Sequence, residues 1–143
     1  MNSILLTIGD RSIRARLEEE SAPQTCAAFR TLLPLRGKVL QARWSGQSIW
    51  MPLHGLKTSV PEENLKHQPA PGEVLFYPEG VSDCEILIPY GVTAFASRFG
   101  PLAGNHFLTL DIAADELKAL GTRVWHEGEK AAVFELHLPS RLD

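Results

Sequence analysis

The residues of this sequence that could carry chemistry are few and far apart. His54 and His67 lie in or beside a long polar stretch with no second ligand at a spacing that would hold a metal. No Gly-x-Ser-x-Gly turn is present, Cys26 falls on the apolar side of a helical stretch, and Cys84 has no base beside it in sequence, so nucleophilic catalysis has no support. Glu18, Glu19 and Glu20 precede a helix start, where negative charge is favourable against the helix dipole, and that placement accounts for them without acid–base chemistry. His106 follows Asn105 in a β-compatible run, where an imidazole serves either as a hydrogen-bonded structural group or as a site residue. Trp44 and Trp50 fall on one hairpin, where aromatic side chains face a core, a pocket or a partner subunit. Nothing in these patterns asks for a cofactor or a metal.

The elements that would position these residues are mostly short strands. Ile4–Ile8 and Ser12–Leu17 flank Gly9-Asp10-Arg11 as an opening hairpin, with Arg14 and Arg16 on its wet side. Ser21-Ala22-Pro23-Gln24 starts a helix that runs to about Leu33, its apolar Ala28, Phe29, Leu32 and Leu33 recurring at helical spacing. Lys38–Trp44 and Ser48–Leu53 form a second strand pair, and residues 57–72 form a polar, Pro-rich surface loop of a length that is often functional, a covering Ω-like loop being the alternative. Glu73–Tyr77, Glu85–Pro89 and His106–Leu110 are further strands. Asp111–Leu120 reads as a helix with Gly121 just past its end, and Thr122–Trp125 with Ala131–Leu138 as a closing hairpin. Many short strands punctuated by turns suit a mainly β fold, and closure of the sheet removes exposed edges. The expectation is a closed antiparallel β-barrel of about eight strands with two capping helices, built as one domain over residues 1–143.

Bulk properties narrow the function classes. A formal net charge of -3 and a sequence without a clustered basic surface argue against a nucleic-acid partner. No stretch approaches the ~20 apolar residues of a membrane span, and residues 1–10 carry no secretory pattern, so no membrane partner and a cytoplasmic location are expected. Two cysteines far apart suggest buried small apolar side chains rather than a disulfide scaffold.

Four segments, in order, resemble the cyclophilins: Glu20-Ser21-Ala22-Pro23-Gln24-Thr25 with Phe29, Gly37–Arg43, Gly100-Pro101-Leu102-Ala103-Gly104-Asn105-His106-Phe107, and Trp125-His126-Glu127-Gly128 with Val133-Phe134. Gly72–Pro78 followed by Glu85–Gly91 is more similar to the compact bacterial cyclophilin-like proteins than to true prolyl isomerases. The resemblance implies a cyclophilin-like barrel with a groove in which Arg43 takes the place of the family's arginine and Trp125 that of its tryptophan. It places His106 where a glutamine belongs, Leu108 at a pocket phenylalanine, Lys130 at a histidine and Arg98 near an asparagine. Arg43 and His106 are accordingly expected to face one groove. The implied function is a binding module whose site comprises Arg43, Trp50, Tyr90, Arg98, Asn105, His106 and Trp125, holding a small anionic or aromatic ligand without efficient prolyl isomerisation. The alternative is a divergent peptidyl-prolyl isomerase acting through Arg43. A homo-oligomer formed through exposed aromatic residues is a further expectation.

Overall fold

The computed structural model describes residues 3–138. Alternation along the first strands builds the barrel. In β1 (Ser3–Ile8) the side chains of Ile4, Leu6 and Ile8 are buried, and in β2 (Arg11–Leu17) Ile13, Ala15 and Leu17 are buried while Arg14 and Arg16 are exposed. Gly9, at φ 60°, turns the chain between them. The helix α1 (Pro23–Arg30) follows, then β3 (Leu35–Gln41), β4 (Gly46–Pro52), the short β5 (Leu65–Lys66), β6 (Glu73–Tyr77) and β7 (Glu85–Thr93). A small hairpin, β8 (Ala96–Ser97) and β9 (Gly100–Pro101), precedes β10 (Gly104–Asp111), the helix α2 (Ala114–Glu127) and β11 (Lys130–Leu136).

The main sheet runs β2-β1-β11-β3-β4-β7-β6-β10, every neighbouring pair is antiparallel, and β10 pairs back onto β2. It is therefore a closed barrel of eight strands, as the turn-punctuated sequence leads one to expect, with β5 added at the start of β10. The barrel interior is filled by buried side chains including Ile49, Met51, Phe76, Ile86, Ile88, Phe107 and Phe134. Helix α1 closes one end through Phe29, whose ring meets Phe107 and Phe134 edge-on at 4.8 and 5.4 Å. The pairing of β10 with β6 shifts between His106 and Leu108, which lets Phe107 and Leu108 both enter the core while His106 and Thr109 face outward.

Helix α2 closes the opposite end and corrects two expectations. It begins at Ala114, after β10 has run through Asp111, and it continues through Gly121 to Glu127, so residues 122–125 are helical and form no strand. Leu117, Gly121 and Val124 are its buried face, at the i, i+4, i+7 spacing of a helix. Gly121 is there because of a close approach, since a Cβ at this position would lie 2.1 Å from the ring of Tyr90. The residue that ends the helix is Gly128, at φ 95°. β11 consequently pairs with β1 and β3 rather than with a strand of its own hairpin. No helix among the described residues is long and apolar enough to cross a membrane.

Candidate functional site

One row of outward-facing residues crosses four strands of the barrel: His106 pairs with Leu75, Leu75 with Leu87, and Leu87 with Trp50. Its apolar middle is not left to solvent. Phe95 and Leu102, brought in by the chain around the β8–β9 hairpin, cover Leu75, Leu87 and Tyr77 in a second small core on the outside of the barrel. The Tyr77 and Phe95 rings meet edge-on at 5.7 Å. The two ends of the row differ, and the candidate site lies at the Trp50 end.

There, Trp50, Ala42 and Glu85 form the inner part of a cleft of about 330 Å³, walled by the β3–β4 turn (Arg43, Trp44, Ser45), the 81–83 segment and the β8–β9 hairpin (Arg98, Phe99). Local hydrogen bonds hold these walls. The Ser45 hydroxyl accepts from the Ala96 amide at 3.0 Å and donates to the Ala96 carbonyl at 3.2 Å, and the Ala94 amide donates to the Ser45 carbonyl at 2.9 Å. This clip sets the turn carrying Arg43 against the hairpin carrying Arg98. The Tyr77 hydroxyl accepts from the amides of Val81 and Ser82 at 3.0 and 3.4 Å and fixes the third wall. At the mouth each guanidinium lies over an exposed ring, Arg43 at 5.8 Å from Trp44 and Arg98 at 4.6 Å from Phe99.

Glu85 is the unusual member of the cleft. It is 7% exposed and, among the described residues, its carboxyl makes no hydrogen bond or ion pair. Burial and, secondarily, the like charge of Asp83 push its pKa up to about 7, so that it is part protonated at neutral pH. Asp83, on the surface beside it, lies 3.9 Å from the exposed His54. Trp50 and Arg43 were legible as candidates in the sequence; Glu85 was not. Its signal is a carboxylate opening an otherwise apolar strand, Glu85-Ile86-Leu87-Ile88.

The model of the family described as "Protein of unknown function (DUF3830)" matches residues 4–136. The chain belongs to that family. No curated protein matches the DUF3830 chain. Among solved structures it is similar to McbB in complex with tryptophan, with a TM-score of 0.71 and 16% identity over 98% of this chain and 46% of that one. It is also similar to the hypothetical protein AF2241 from Archaeoglobus fulgidus, with a TM-score of 0.62 and 20% identity over 95% of each chain. The DUF3830 chain thus spans about half the length of the McbB chain. At such identities these likenesses show a shared fold and nothing further.

The DUF3830 chain brings three of the seven sequence-selected residues, Arg43, Trp50 and Arg98, into the cleft. The others are placed elsewhere. Tyr90 is buried in the barrel against Gly121 and donates its hydroxyl hydrogen to Gln41 Oε1 at 2.7 Å. Trp125 is 62% exposed on α2, because the helix continues where a strand was expected. Asn105 is buried under residues 57–72, accepting from the Glu63 amide at 3.3 Å and donating to Pro61 O at 2.8 Å and Thr25 Oγ1 at 3.0 Å. Glu63 completes this knot by accepting from the amide and hydroxyl of Thr25. The loop is therefore a strap over β10, and it does not line the cleft.

His106 sits under the same strap, at the far end of the row from Trp50. Three strand spacings of ~4.8 Å and the Phe95–Leu102 layer intervene, so the expectation that Arg43 and His106 share a groove is not met. The Thr109 hydroxyl donates to Glu18 Oε2 at 2.6 Å, so its oxygen accepts from His106 Nε2 at 2.8 Å, which places the imidazole proton on Nε2. Nδ1 is buried without a hydrogen-bond partner, 3.9 Å from Glu73 Oε2, and that carboxylate is itself engaged by Lys66 Nζ at 2.8 Å. Burial and the Lys66 charge lower the pKa of His106 against the opposing pull of Glu73 and Glu18. The imidazole is thus a neutral, structural group. Both cysteines are buried, and burial pushes each thiol up to about 11, which leaves them unreactive at neutral pH.

Proposed function

We propose that the outer-face cleft binds a small aromatic anion, with Arg43 and Arg98 receiving its charge and Trp50, Trp44 and Phe99 its ring. The observation that carries this reading is the convergence of two exposed guanidiniums, each on an aromatic partner, at the mouth of one cleft with a Trp50 wall. A volume of about 330 Å³ lies at the lower end of the range that holds drug-sized molecules, which favours a single-ring or indole-sized ligand. McbB was solved in complex with tryptophan; the ligand class proposed here is argued from the side chains of this chain. A cytoplasmic location and a cyclophilin-like ancestry, with bacterial relatives, belong to this reading.

Prolyl isomerisation is the second reading, and it rests on Arg43. Twisting an amide over a barrier of about 18–20 kcal/mol requires several contacts that strengthen in the transition state. Here Leu108 lies inside the barrel, Trp125 on α2 and His106 beneath the strap, so Arg43 would act without the companions that the cyclophilin resemblance implies. Binding without efficient isomerisation is the function these placements support better.

Titration of the protein with 3-phenylpropionate, followed by tryptophan fluorescence, tests the proposal. A saturable change that weakens at least several-fold in Arg43→Ala and in Arg98→Ala is the expected result. A linear, non-saturating response, or binding indifferent to both substitutions, would remove it.

A further inference from the structure

The cleft carries charge of both signs. Its β3–β4 turn and β8–β9 hairpin present Arg43 and Arg98, whereas its third wall presents Asp83 and, deeper, the unpartnered carboxyl of Glu85. The Glu85 carboxyl is not sealed in the core: its residue is largely buried, but its oxygens open on the cleft, where a ligand can reach them and supply a stronger, less solvated partner than water. Among the described residues no side chain hydrogen-bonds this carboxyl: the charged and titratable groups around it are Asp83 on its own segment, Arg43 and Arg98, which line the same cleft from the other two walls, and the Tyr77 hydroxyl on the neighbouring strand, which is occupied by the amides of Val81 and Ser82. A purely anionic ligand would satisfy the guanidiniums and be repelled by this acidic wall.

We propose that Glu85, aided by Asp83, receives a protonated amine of the ligand, so that the cleft takes an aromatic amino-acid-like zwitterion whose carboxylate goes to Arg43 and Arg98. The inference rests on the cleft being a binding site and specifies what it binds. Between the two charged groups the ring lies on Trp50, which gives the three-point arrangement that sets the orientation of a small zwitterion. Ionised Glu85 is the form that holds an ammonium, and its pKa of about 7 ties the affinity to pH. An aliphatic ammonium stays protonated throughout the neutral range, so the advantage it confers rises as pH goes from 6 to 8, while that of a simple aromatic carboxylate has no such rise.

Calorimetric titrations with phenylalanine, 3-phenylpropionate and phenethylamine at pH 6 and pH 8 test this. Phenylalanine should bind about tenfold or more tightly than either probe at pH 8, the size of effect expected from a charge-assisted hydrogen bond at each end. That margin over 3-phenylpropionate should shrink at pH 6. In Glu85→Gln, checked for an unchanged fold by its melting curve, phenylalanine should lose its margin and its pH dependence together. Asp83→Asn, on the exposed segment, should narrow the margin by a smaller factor without altering the strand. If 3-phenylpropionate binds as tightly as phenylalanine at both pH values, or if the margin survives Glu85→Gln, the zwitterion inference fails while the aromatic-anion reading stands. If no probe binds, both fail.

Discussion

The two ends of the row Trp50–Leu87–Leu75–His106 stand on the same barrel face and meet the same problem in opposite ways. At the His106 end, polar groups are buried and answer one another: Glu18 with Thr109, Thr109 with His106, Glu73 with Lys66, and Asn105 with Glu63, Pro61 and Thr25. At the Trp50 end, Glu85 is largely buried and hydrogen-bonds to no side chain among the described residues, while two guanidiniums stand exposed at the surface. A closed network ties the strap at residues 57–72 to the barrel, whereas the charged groups of the cleft open on solvent. A buried atom without a partner does not by itself mark a site, since His106 Nδ1 is one at the closed end; what distinguishes the Trp50 end is a carboxyl and two guanidiniums lining one cleft.

The contrast is most sharply tested by breaking the closed end. Asn105→Ala removes three hydrogen bonds and leaves the Glu63 amide and the Pro61 carbonyl without their partner, which should lower unfolding free energy by about 4 kcal/mol in chemical denaturation. Ligand titrations on the folded variant should be unchanged. A loss below about 1 kcal/mol would mean that Asn105 does not hold the strap and that its other contacts, the Glu63–Thr25 and Asn64–His106 hydrogen bonds among them, suffice.

At the open end the substitution should have the opposite sign. The carboxyl of Glu85 rises from 4.5 to about 7 on folding, so the folded state holds its proton through a window in which the unfolded chain has released it. Stability contributed by this group is present below pH 4.5 and is lost as pH climbs toward 7, by up to about 3 kcal/mol. Glu85→Gln should be free of that loss, so its advantage over the parent should grow between pH 5 and pH 7.5 in paired denaturation curves. Parallel curves would show that the carboxyl is satisfied in solution.

His106 works in the other direction. Its folded pKa is lowered, so the unfolded chain takes up a proton before the folded one does, and stability falls as pH drops below about 6.5. His106→Gln, which keeps a donor for Thr109, should cost about 1 kcal/mol at pH 7.5 and flatten this acid limb. An acid limb of undiminished slope in the variant would assign it to other groups.

The smallest stability effects belong to the cleft mouth. Arg43→Ala and Arg98→Ala remove exposed side chains and should change unfolding free energy by no more than about 0.5 kcal/mol, while under the proposed function both should weaken ligand binding. In a protease-coupled assay on proline-containing peptides the parent protein should show little turnover above background. Cyclophilin-like turnover that vanishes in Arg43→Ala would reverse the ranking of the two functional readings.

How much of this was legible beforehand follows from the range of the interactions involved. Strand alternation is local, and so β1 and β2 could be read from the chain, as could the outward placement of Arg14 and Arg16, while β6 could be read as a short apolar run between turns. Helix α2 was misjudged because Gly121 has the signature of a helix end, and only the ring of Tyr90, 31 positions away in sequence, explains a glycine inside it. That error carried Trp125 from an expected strand onto the outer face of a helix.

By itself the sequence determined a mainly β barrel, closed because many short strands, alternating as in β1 and β2 or apolar throughout as in β6 and β7, leave no tolerable edge. It also offered seven candidate site residues, most of them through the cyclophilin resemblance, of which Arg43, Trp50 and Arg98 meet in the cleft and Tyr90, Asn105, His106 and Trp125 do not. What only the tertiary structure decided is which polar groups are satisfied. Asn105 and His106 are tied into the strap because residues 57–72 return to them across some 40 positions of chain, and Glu85 lines the cleft with no side-chain partner among the described residues. Hydrogen-bond partnership between distant residues is fixed by packing, and no local pattern in the chain records it.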